Sequence, residues 1–556
     1  MKRAMRSEPH PVSGFIYREI DRGIVRVEDQ ENGRHGLFRS DGTWIEGELT
    51  YADPCMLDYI GATAQLPPGW DVYWPVLPAE MDLDDAPAAR PGLQYEAAKA
   101  AAQSPRIVGG YVPDPGKETP DGPRSAAFVD QDFFLANDRR PDLVPKVFHL
   151  KAPARGGPRT VGVERYLSRK YHDLEVERLW KKTWQMVCRE DDVPEVGDYF
   201  VYDVADLSFL IVRTGERDFK AHYNACLHRG RQLRECSGRK AHEFRCPFHG
   251  WTWSIDGKIK HITTEWDFPG VRDEVDQLPG ARVATWGGFI FINPDPEGET
   301  LDAFMGPEMI EHYAKFKFEN RWKQLHVSKV VRANWKLAME AFTESYHVFA
   351  SHPQLLLEGR DFADSHYDVF GNWVRLGHVQ SCVASAMRGM YPSNDQVLAA
   401  YRGYADFMKT FLHTVIGDEV EQFSDAELND VSYSNLFPNF SPWGGFMRLV
   451  YRWRPHGDNP DECIMEVMLL TPWPKGKPKP PPVAVQHLGP DESWTSVRQL
   501  GAFARVADQD LVNLSKVQRG LKTKQPPTVW FSAYQEGGIR NWHGIYDRLL
   551  GLDSDT

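Results

Sequence analysis

The chain has 556 residues, with 65 Lys and Arg against 78 Asp and Glu, a formal charge of −13 at pH 7. That length accommodates two or three domains with cores of their own, and the acidic balance excludes a nucleic-acid binder, which needs a basic footprint. Seven cysteines are too few for a disulfide framework, and neither a run of eighteen apolar residues nor an apolar leader after MKRAMRSEPHPVSGF is present, so the expectation is a cytoplasmic protein in a reducing compartment with no membrane partner.

In chain order, residues 14–59 alternate apolar and charged residues (FIYREI, GIVRVED, LFRSDGTWIEGEL), and Ser40-Asp41-Gly42 reads as a hairpin turn. Residues 61–157 are rich in Pro, Gly, Ala and Asp, with one short helix expected near Tyr95–Gln103, so 1–160 is read as a small β unit followed by an extended arm. A helical pattern begins near Glu164 and brings Tyr166, Tyr171, Leu174, Leu179, Trp180 and Trp184 to one side. Three short strands follow, then the hairpin WTWSIDGKI with its Asp-Gly turn, then GGFIFINPDP, which together make 187–300 a compact antiparallel β domain. It is inserted between 161–186 and 301–556, a mixed α+β domain whose strands FMRLVYRWRP and ECIMEVMLL precede a Pro-rich surface loop, PWPKGKPKPPP.

Within the β domain, Cys226 and His228 form C-x-H, and seventeen residues separate them from Cys246 and His249, a C-x-x-H pair. A Cys2His2 zinc site typically groups like with like, C-x2–4-C and H-x3–5-H. Here each pair mixes one thiolate with one imidazole, so each turn offers a ligand to both irons of a Rieske [2Fe–2S] cluster, whose histidines raise its potential to roughly −150 to +300 mV. Gly230 and Gly250 let backbone amides approach the sulfides. An acidic chain of this size is kept soluble by its charge and can also steer a basic electron donor.

A cluster of this kind only carries electrons, which directs attention to NWKLAMEAFTESYHVFASHPQ (334–354), with Glu344, His347 and His352. The two histidines are five residues apart and diverge by about 140° on an ideal helix. They converge on one ion only if the helix is distorted, for example by a π-bulge. Glu344 lies within one turn of His347 and can hydrogen-bond its free ring nitrogen. Two histidines and a carboxylate form the facial triad of non-heme Fe(II) oxygenases. The carboxylate candidates lie downstream in RVADQDLVNLSKVQRGLKT, where local sequence does not choose between Asp508 and Asp510.

Over residues 164–550 the chain resembles the large (α) subunits of the Rieske non-heme iron, aromatic-ring-hydroxylating oxygenases, through CLHRG, CPFHGW, NWK, ESYHVFASH, LFPNFSP, DLVNLSKVQRGL and FSAYQEGGIRNWHGIYDRLL. The resemblance implies an antiparallel β Rieske domain inserted in a helix-grip (START-like) catalytic domain, with 1–160 an atypical extension. It implies Cys226 and Cys246 on one cluster iron, His228 and His249 on the other, and a mononuclear Fe(II) held by His347, His352 and Asp510. Glu344 matches the acidic residue that bridges His347 to His249 of a neighbouring chain, which implies a homotrimer with or without small β subunits. It further implies a reductase or ferredoxin as electron donor, and O2 and an aromatic or other hydrophobic small molecule as substrates.

Two departures stand out. Glu340-Ala341-Phe342 lacks the amide of the usual E-N-F, and Glu344 replaces the Asp of many ring dioxygenases. Glu at that position is familiar among relatives that oxidise quaternary amines or demethylate, so N- or O-demethylation is carried as an alternative to ring hydroxylation. A pure Rieske electron carrier and a zinc-binding scaffold are the remaining classes. The substrate cavity is expected to be lined by residues flanking the 334–354 motif and by the segment 355–436, where Phe342, Phe349, Phe362, Tyr367, Phe370, Trp373 and Phe407 serve either as core or as lining.

Overall fold

The structure, a computed structural model, describes residues 6–10, 13–61, 118–119, 122–123, 133–150, 156–352, 366–377, 394–430, 433–474, 476–501 and 503–552. The helix expected near Tyr95–Gln103 lies outside these residues.

The alternating N-terminal stretch forms a five-stranded antiparallel meander (Ser7–Pro9, Ile16–Asp21, Ile24–Asp29, Arg34–Arg39, Trp44–Gly47) with neighbouring strands consecutive in sequence. The expected hairpin turn joins the last two strands, Gly42 taking φ +93°, a conformation glycine adopts without steric cost. Helix α1 (Pro54–Gly61) closes the buried face, placing Met56, Leu57 and Ile60 on Tyr17, Val25, Val27 and Phe38.

The cluster-bearing module contains two sheets. Six strands run in the spatial order Tyr199–Val204, Leu207–Arg213, Phe219–Tyr223, Gly280–Trp286, Phe289–Asn293, Gln185–Arg189. A smaller sheet of Glu243–Arg245, Thr252–Ser254 and Ile259–His261 has a core of its own, in which Phe244, Trp251 and Trp253 pack around Cys226 and Cys246.

The catalytic module is built on a sheet in the order Ser441–Pro442, Leu449–His456, Asn459–Thr471, Trp322–Val331, Gln486–Leu488, antiparallel except for the last pair. The two long strands are buried over most of their length, so the charges they carry must be paired. Glu466 serves Arg452, Arg454 and His326, and Lys323 crosses to Asp192 of the cluster module. Asn439 adds a bond from the Met186 amide (3.1 Å), and the Arg454 guanidinium donates to the Asp203 carbonyl (2.7 Å). These polar contacts, with apolar packing of Met186, Val187 and Phe289–Ile292 in the same core, fix one module against the other.

Three helices cover the sheet where the chemistry is expected. Helix α2 (Trp335–Ala341) lies against the strands Leu449–His456 and Asn459–Thr471, and helix α4 (Phe503–Leu521) packs on it with the one-turn α3 (Val348–Ser351) alongside; helix α5 (Gly537–Leu550) packs on the hairpin His366–Phe370 and Trp373–Gly377 and meets α2 through Trp542 and Trp335. The NWK motif anchors this layer. Asn334 caps α2 by accepting from the Lys336 amide (3.1 Å), Trp335 Nε1 donates to Glu175 (2.8 Å), and the Lys336 ammonium pairs with the same carboxylate. Among the described residues no helix is long and apolar enough to cross a membrane.

Candidate metal centres

The two cysteine–histidine turns have one geometry. In each, the cysteine amide donates to the carbonyl five residues on (Cys226 to Arg231, 2.9 Å; Cys246 to Trp251, 2.8 Å), and the glycine four residues on donates back to the cysteine carbonyl (Gly230, 2.8 Å; Gly250, 3.0 Å). Closing so tight a turn requires a left-handed residue, and Gly230 and Gly250 supply it at φ +73° and +82°. Both thiols are buried together. Burial first, and the neighbouring Cys246 thiol after it, push Cys226 up to about 11. The imidazoles of His228 and His249 are half-exposed with ring centroids 4.6 Å apart, and Trp251 stacks under His228 at 5.0 Å. A buried sulfur pair on one side and an imidazole pair toward the surface suit a [2Fe–2S] unit with unlike ends.

At the second site the chain departs from the continuous distorted helix expected over 334–354. Helix α2 ends at Phe342 (φ −102°, ψ 14°), and the chain turns through residues 343–346 before the single turn of α3. His347 precedes α3, and His352 leaves it with a non-helical backbone (φ −127°, ψ 59°). The break removes the 140° divergence that a regular helix imposes. It is stable because the freed groups find other partners: the Glu344 carboxylate accepts from the His347 amide (2.9 Å), and the Ser345 amide donates to Tyr367 Oη (3.2 Å).

His347 Nε2, His352 Nε2 and Asp510 Oδ1 face one another across 3.2, 3.4 and 2.9 Å. Three ligands at about 2.1 Å from one ion stand about 3.0–3.4 Å apart on an octahedral or tetrahedral face, so the triangle has the dimensions of a metal site. Each imidazole is held by its other nitrogen. His347 Nδ1 bonds Glu344 Oε1 at 2.5 Å, and His352 Nδ1 bonds Gln509 Oε1 at 2.9 Å. Donation from Nδ1 to these oxygens leaves both Nε2 lone pairs aimed inward. Asp510 is buried, which raises its pKa, but positive charge on the imidazoles of His352 and His347, and the hydrogen bonds they donate when protonated at Nε2, outweigh burial and hold it at about 2; a cation that takes the place of those protons has the same effect on the carboxylate. The carboxylate is therefore ionised, as a ligand must be.

Asp508 points elsewhere. Positions 508 and 510 lie about 200° apart around a helix, and Asp508 accepts from the Trp494 amide (2.9 Å) and the Ser493 hydroxyl, capping the turn Trp494–Ser496. Gln509 is the site residue that sequence reasoning missed. Its one available signal was adjacency to the candidate aspartates. Also unforeseen is the buried group behind α2, where Glu340 accepts from Tyr166 Oη and His543 Nε2, both at 2.9 Å. Of the aromatics considered for the substrate cavity, Phe342, Tyr367 and Trp373 are core, and Phe370 and Phe407 pack against it. Phe362 and the Phe349 side chain lie outside the described residues.

Fold and site together define a two-module protein in which a cysteine–histidine cluster module is joined to a catalytic module carrying a separate histidine–carboxylate triad. Residues 183–272 match the Rieske [2Fe–2S] domain, and residues 311–552 match the ring-hydroxylating alpha subunit catalytic domain. The chain thus carries a Rieske domain and a ring-hydroxylating alpha catalytic domain, a pair that implies a Rieske [2Fe–2S] cluster and a mononuclear iron.

Among its relatives is the glycine betaine monooxygenase oxygenase subunit of Pseudomonas aeruginosa, 29% identical over 203 residues, covering 36% of this chain and 47% of that one. The biphenyl 2,3-dioxygenase subunit alpha of Rhodococcus jostii is 28% identical over 206 residues, covering 35% and 44%. The chain thus spans about half the length of these relatives. A solved quaternary ammonium Rieske monooxygenase in complex with L-carnitine shares the fold with a TM-score of 0.52 at 16% identity, covering 71% of this chain and 96% of that one.

Proposed function

We propose that the protein is the oxygenase component of a Rieske system that uses O2 and electrons from an NAD(P)H-dependent reductase, directly or through a ferredoxin, to hydroxylate a small hydrophobic or aromatic molecule. The observation that carries this reading is the buried His347–His352–Asp510 triangle, with both histidines oriented from behind by Glu344 and Gln509. When bound, the cluster supplies single electrons, and the mononuclear iron supplies open positions for O2 and its activation.

The chain's own residues have separable tasks. Cys226, His228, Cys246 and His249 hold the cluster, with the half-exposed His249 as the outlet for electrons. His347, His352 and Asp510 hold the iron. Glu344 fixes His347 through both its amide and its ring, and this double attachment also makes it the entry point for electrons arriving from outside. Among the described residues, the hydrogen bonds, ion pairs and ring contacts of 226–275 all end within residues 185–293. The cluster loops therefore do not touch the triad of their own chain, which supports electron transfer between copies in a homotrimer, with or without small β subunits. The sparse cysteines support a cytoplasmic location.

A second reading, monooxygenation of a quaternary amine or demethylation, is favoured by Glu344 standing where many ring dioxygenases carry Asp and by the similarity to the glycine betaine enzyme. Reductase-coupled oxygen uptake against aromatics and against N- and O-methyl compounds separates the two. The expected result for His347→Ala is loss of turnover with the cluster's visible spectrum intact. Undiminished turnover overturns the proposal, and two irons per chain instead of three would make the protein an electron carrier.

A further inference from the structure

Neither metal centre draws on the Pro-rich loop PWPKGKPKPPP, yet the loop is closely braced. Trp473 Nε1 donates to the Lys477 carbonyl (3.1 Å), the Lys477 amide to the Pro474 carbonyl (3.2 Å), and Trp322 Nε1 to the Pro481 carbonyl (3.2 Å). The two indoles meet edge-on at 5.5 Å. Held in this way, the loop forms one wall of a cavity of about 260 Å3, which Phe316, Arg321, Ile416 and Phe446 help to close. Arg321 directly precedes the strand Trp322–Val331, and α2 follows that strand at its other end. Ten strand residues at about 3.3 Å each put about 30 Å between the cavity and the helix layer that carries the triad.

The cavity concentrates positive charge in a chain of −13. Its lining carries Lys315, Lys317, Arg321, Lys477 and Lys479 against one carboxylate, Glu419. Lys315 is neutralised by Glu427 and Lys317 by Glu419, both at 2.9 Å. The other three cations have no carboxylate partner among the described residues. Lys479 donates to the Glu319 carbonyl (2.8 Å), and Lys477 is exposed. Arg321 is 1% exposed, and its guanidinium donates only to the carbonyls of Phe316, Met447 and Gly445, at 3.3, 3.0 and 2.9 Å. Burial above all, with the nearby Arg189 adding to it, pulls its pKa down to about 9. A buried charge without a counter-charge is destabilising, and an anion that meets it relieves that cost.

We propose that this cavity is a ligand site, separate from the iron, for a small aromatic carboxylate. Arg321, Lys477 and Lys479 take the anionic group, and the ring lies against Trp473, Phe446 and Phe316. The volume equals roughly nine water molecules at about 30 Å3 each, which admits one or two rings and is too small for a dinucleotide. A bare phosphate would answer the charge and leave the aromatic walls wet. A neutral ring would cover the walls and leave the guanidinium without its counter-charge. The bracing of the loop precedes binding, so little ordering cost falls on the ligand.

The test is isothermal titration calorimetry of the full-length holoprotein with three probes: 2-naphthoate, its uncharged isostere 2-naphthamide, and inorganic phosphate. The expected result is a saturable site for 2-naphthoate, with the amide and phosphate each binding at least tenfold more weakly. Lys477→Glu and Trp473→Ala should each weaken 2-naphthoate at least fivefold, with iron content and cluster absorbance unchanged. His347→Ala, which removes an iron ligand, should bind 2-naphthoate at this site like the wild type. Lys477 is exposed and unpaired, so loss of folding does not confound that variant. Binding that disappears in His347→Ala and persists undiminished in Lys477→Glu places the ligand at the iron and overturns the proposal. Phosphate or the amide binding as tightly as 2-naphthoate, or the absence of saturable binding, overturns it equally. None of these outcomes depends on the oxygenase reading, which iron content tests separately.

Discussion

Gln509→Leu is the most direct perturbation of the second centre, because it leaves all three ligand atoms in place. Leucine fills a similar volume but cannot accept the 2.9 Å bond from His352 Nδ1. Both side chains are buried, His352 at 1% exposure and Gln509 at 5%, so water has little access to replace the lost acceptor. An unsatisfied buried N–H costs about 1–3 kcal/mol. Loss of an oriented outer hydrogen bond typically lowers metal affinity about 10–100-fold, or about 1.4–2.7 kcal/mol, and the two magnitudes agree. The assay is chelator titration of the reconstituted protein, with retained iron measured by mass spectrometry and cluster absorbance as an internal control. Iron should leave the mononuclear site at a chelator activity 10–100-fold lower than in the wild type, while the cluster is unaffected. Gln509→Glu, which accepts the same bond with a full charge, should retain iron at least as well as the wild type. If Gln509→Leu holds iron like the wild type, His352 is not oriented through Gln509 and the argument fails.

Two further variants separate the adjacent aspartates. Asp510→Ala should release the mononuclear iron and abolish turnover, whereas Asp508→Ala should keep both and lose about 1 kcal/mol of stability with the cap at Trp494–Ser496; iron analysis and denaturant unfolding read the two effects. The Glu340 carboxyl supplies a pH signature. Burial above all pushes it up to about 8, against the opposing influence of Tyr166, Lys336 and Arg165, and Glu344 adds to the rise. The folded chain therefore binds a proton that the unfolded chain has released above about pH 4.5. Stability contributed by this group is greatest below that pH and falls as pH rises through 8, by up to about 1.4 kcal/mol per unit. Glu340→Gln, which still accepts from Tyr166 and His543, should flatten the slope between pH 5 and 8. Parallel wild-type and variant unfolding curves across that range would contradict the assignment.

Where function is written in short spacings, the chain can be read without its fold. The turns at Cys226–Gly230 and Cys246–Gly250 close within five residues, so the ligand set proposed for them follows from residue order and from glycine's freedom at positive φ. Strand alternation in 14–59 likewise announces a small β unit, because a period of two needs no distant partner to be recognised. Glu344 and His347 are three residues apart, close enough for their bond to be anticipated.

The rest depends on contacts that residue order does not encode. The divergence of His347 and His352 is resolved by a helix break whose freed amides are satisfied by Glu344 and by Tyr367, the latter on a distant strand. Asp510 stands 158 residues after His352, and it faces the histidines, while Asp508 faces Trp494, only because α4 packs on α2 with one particular rotation. That rotation also delivers Gln509 to His352, while the packing of α5 and of residues 164–167 against α2 sets Glu340 against Tyr166 and His543. The exposure of Trp266 belongs to the same category. Composition marks it as an ordinary aromatic in an acidic chain, and only the folded loop places it, uncovered, beside the two cysteine–histidine turns.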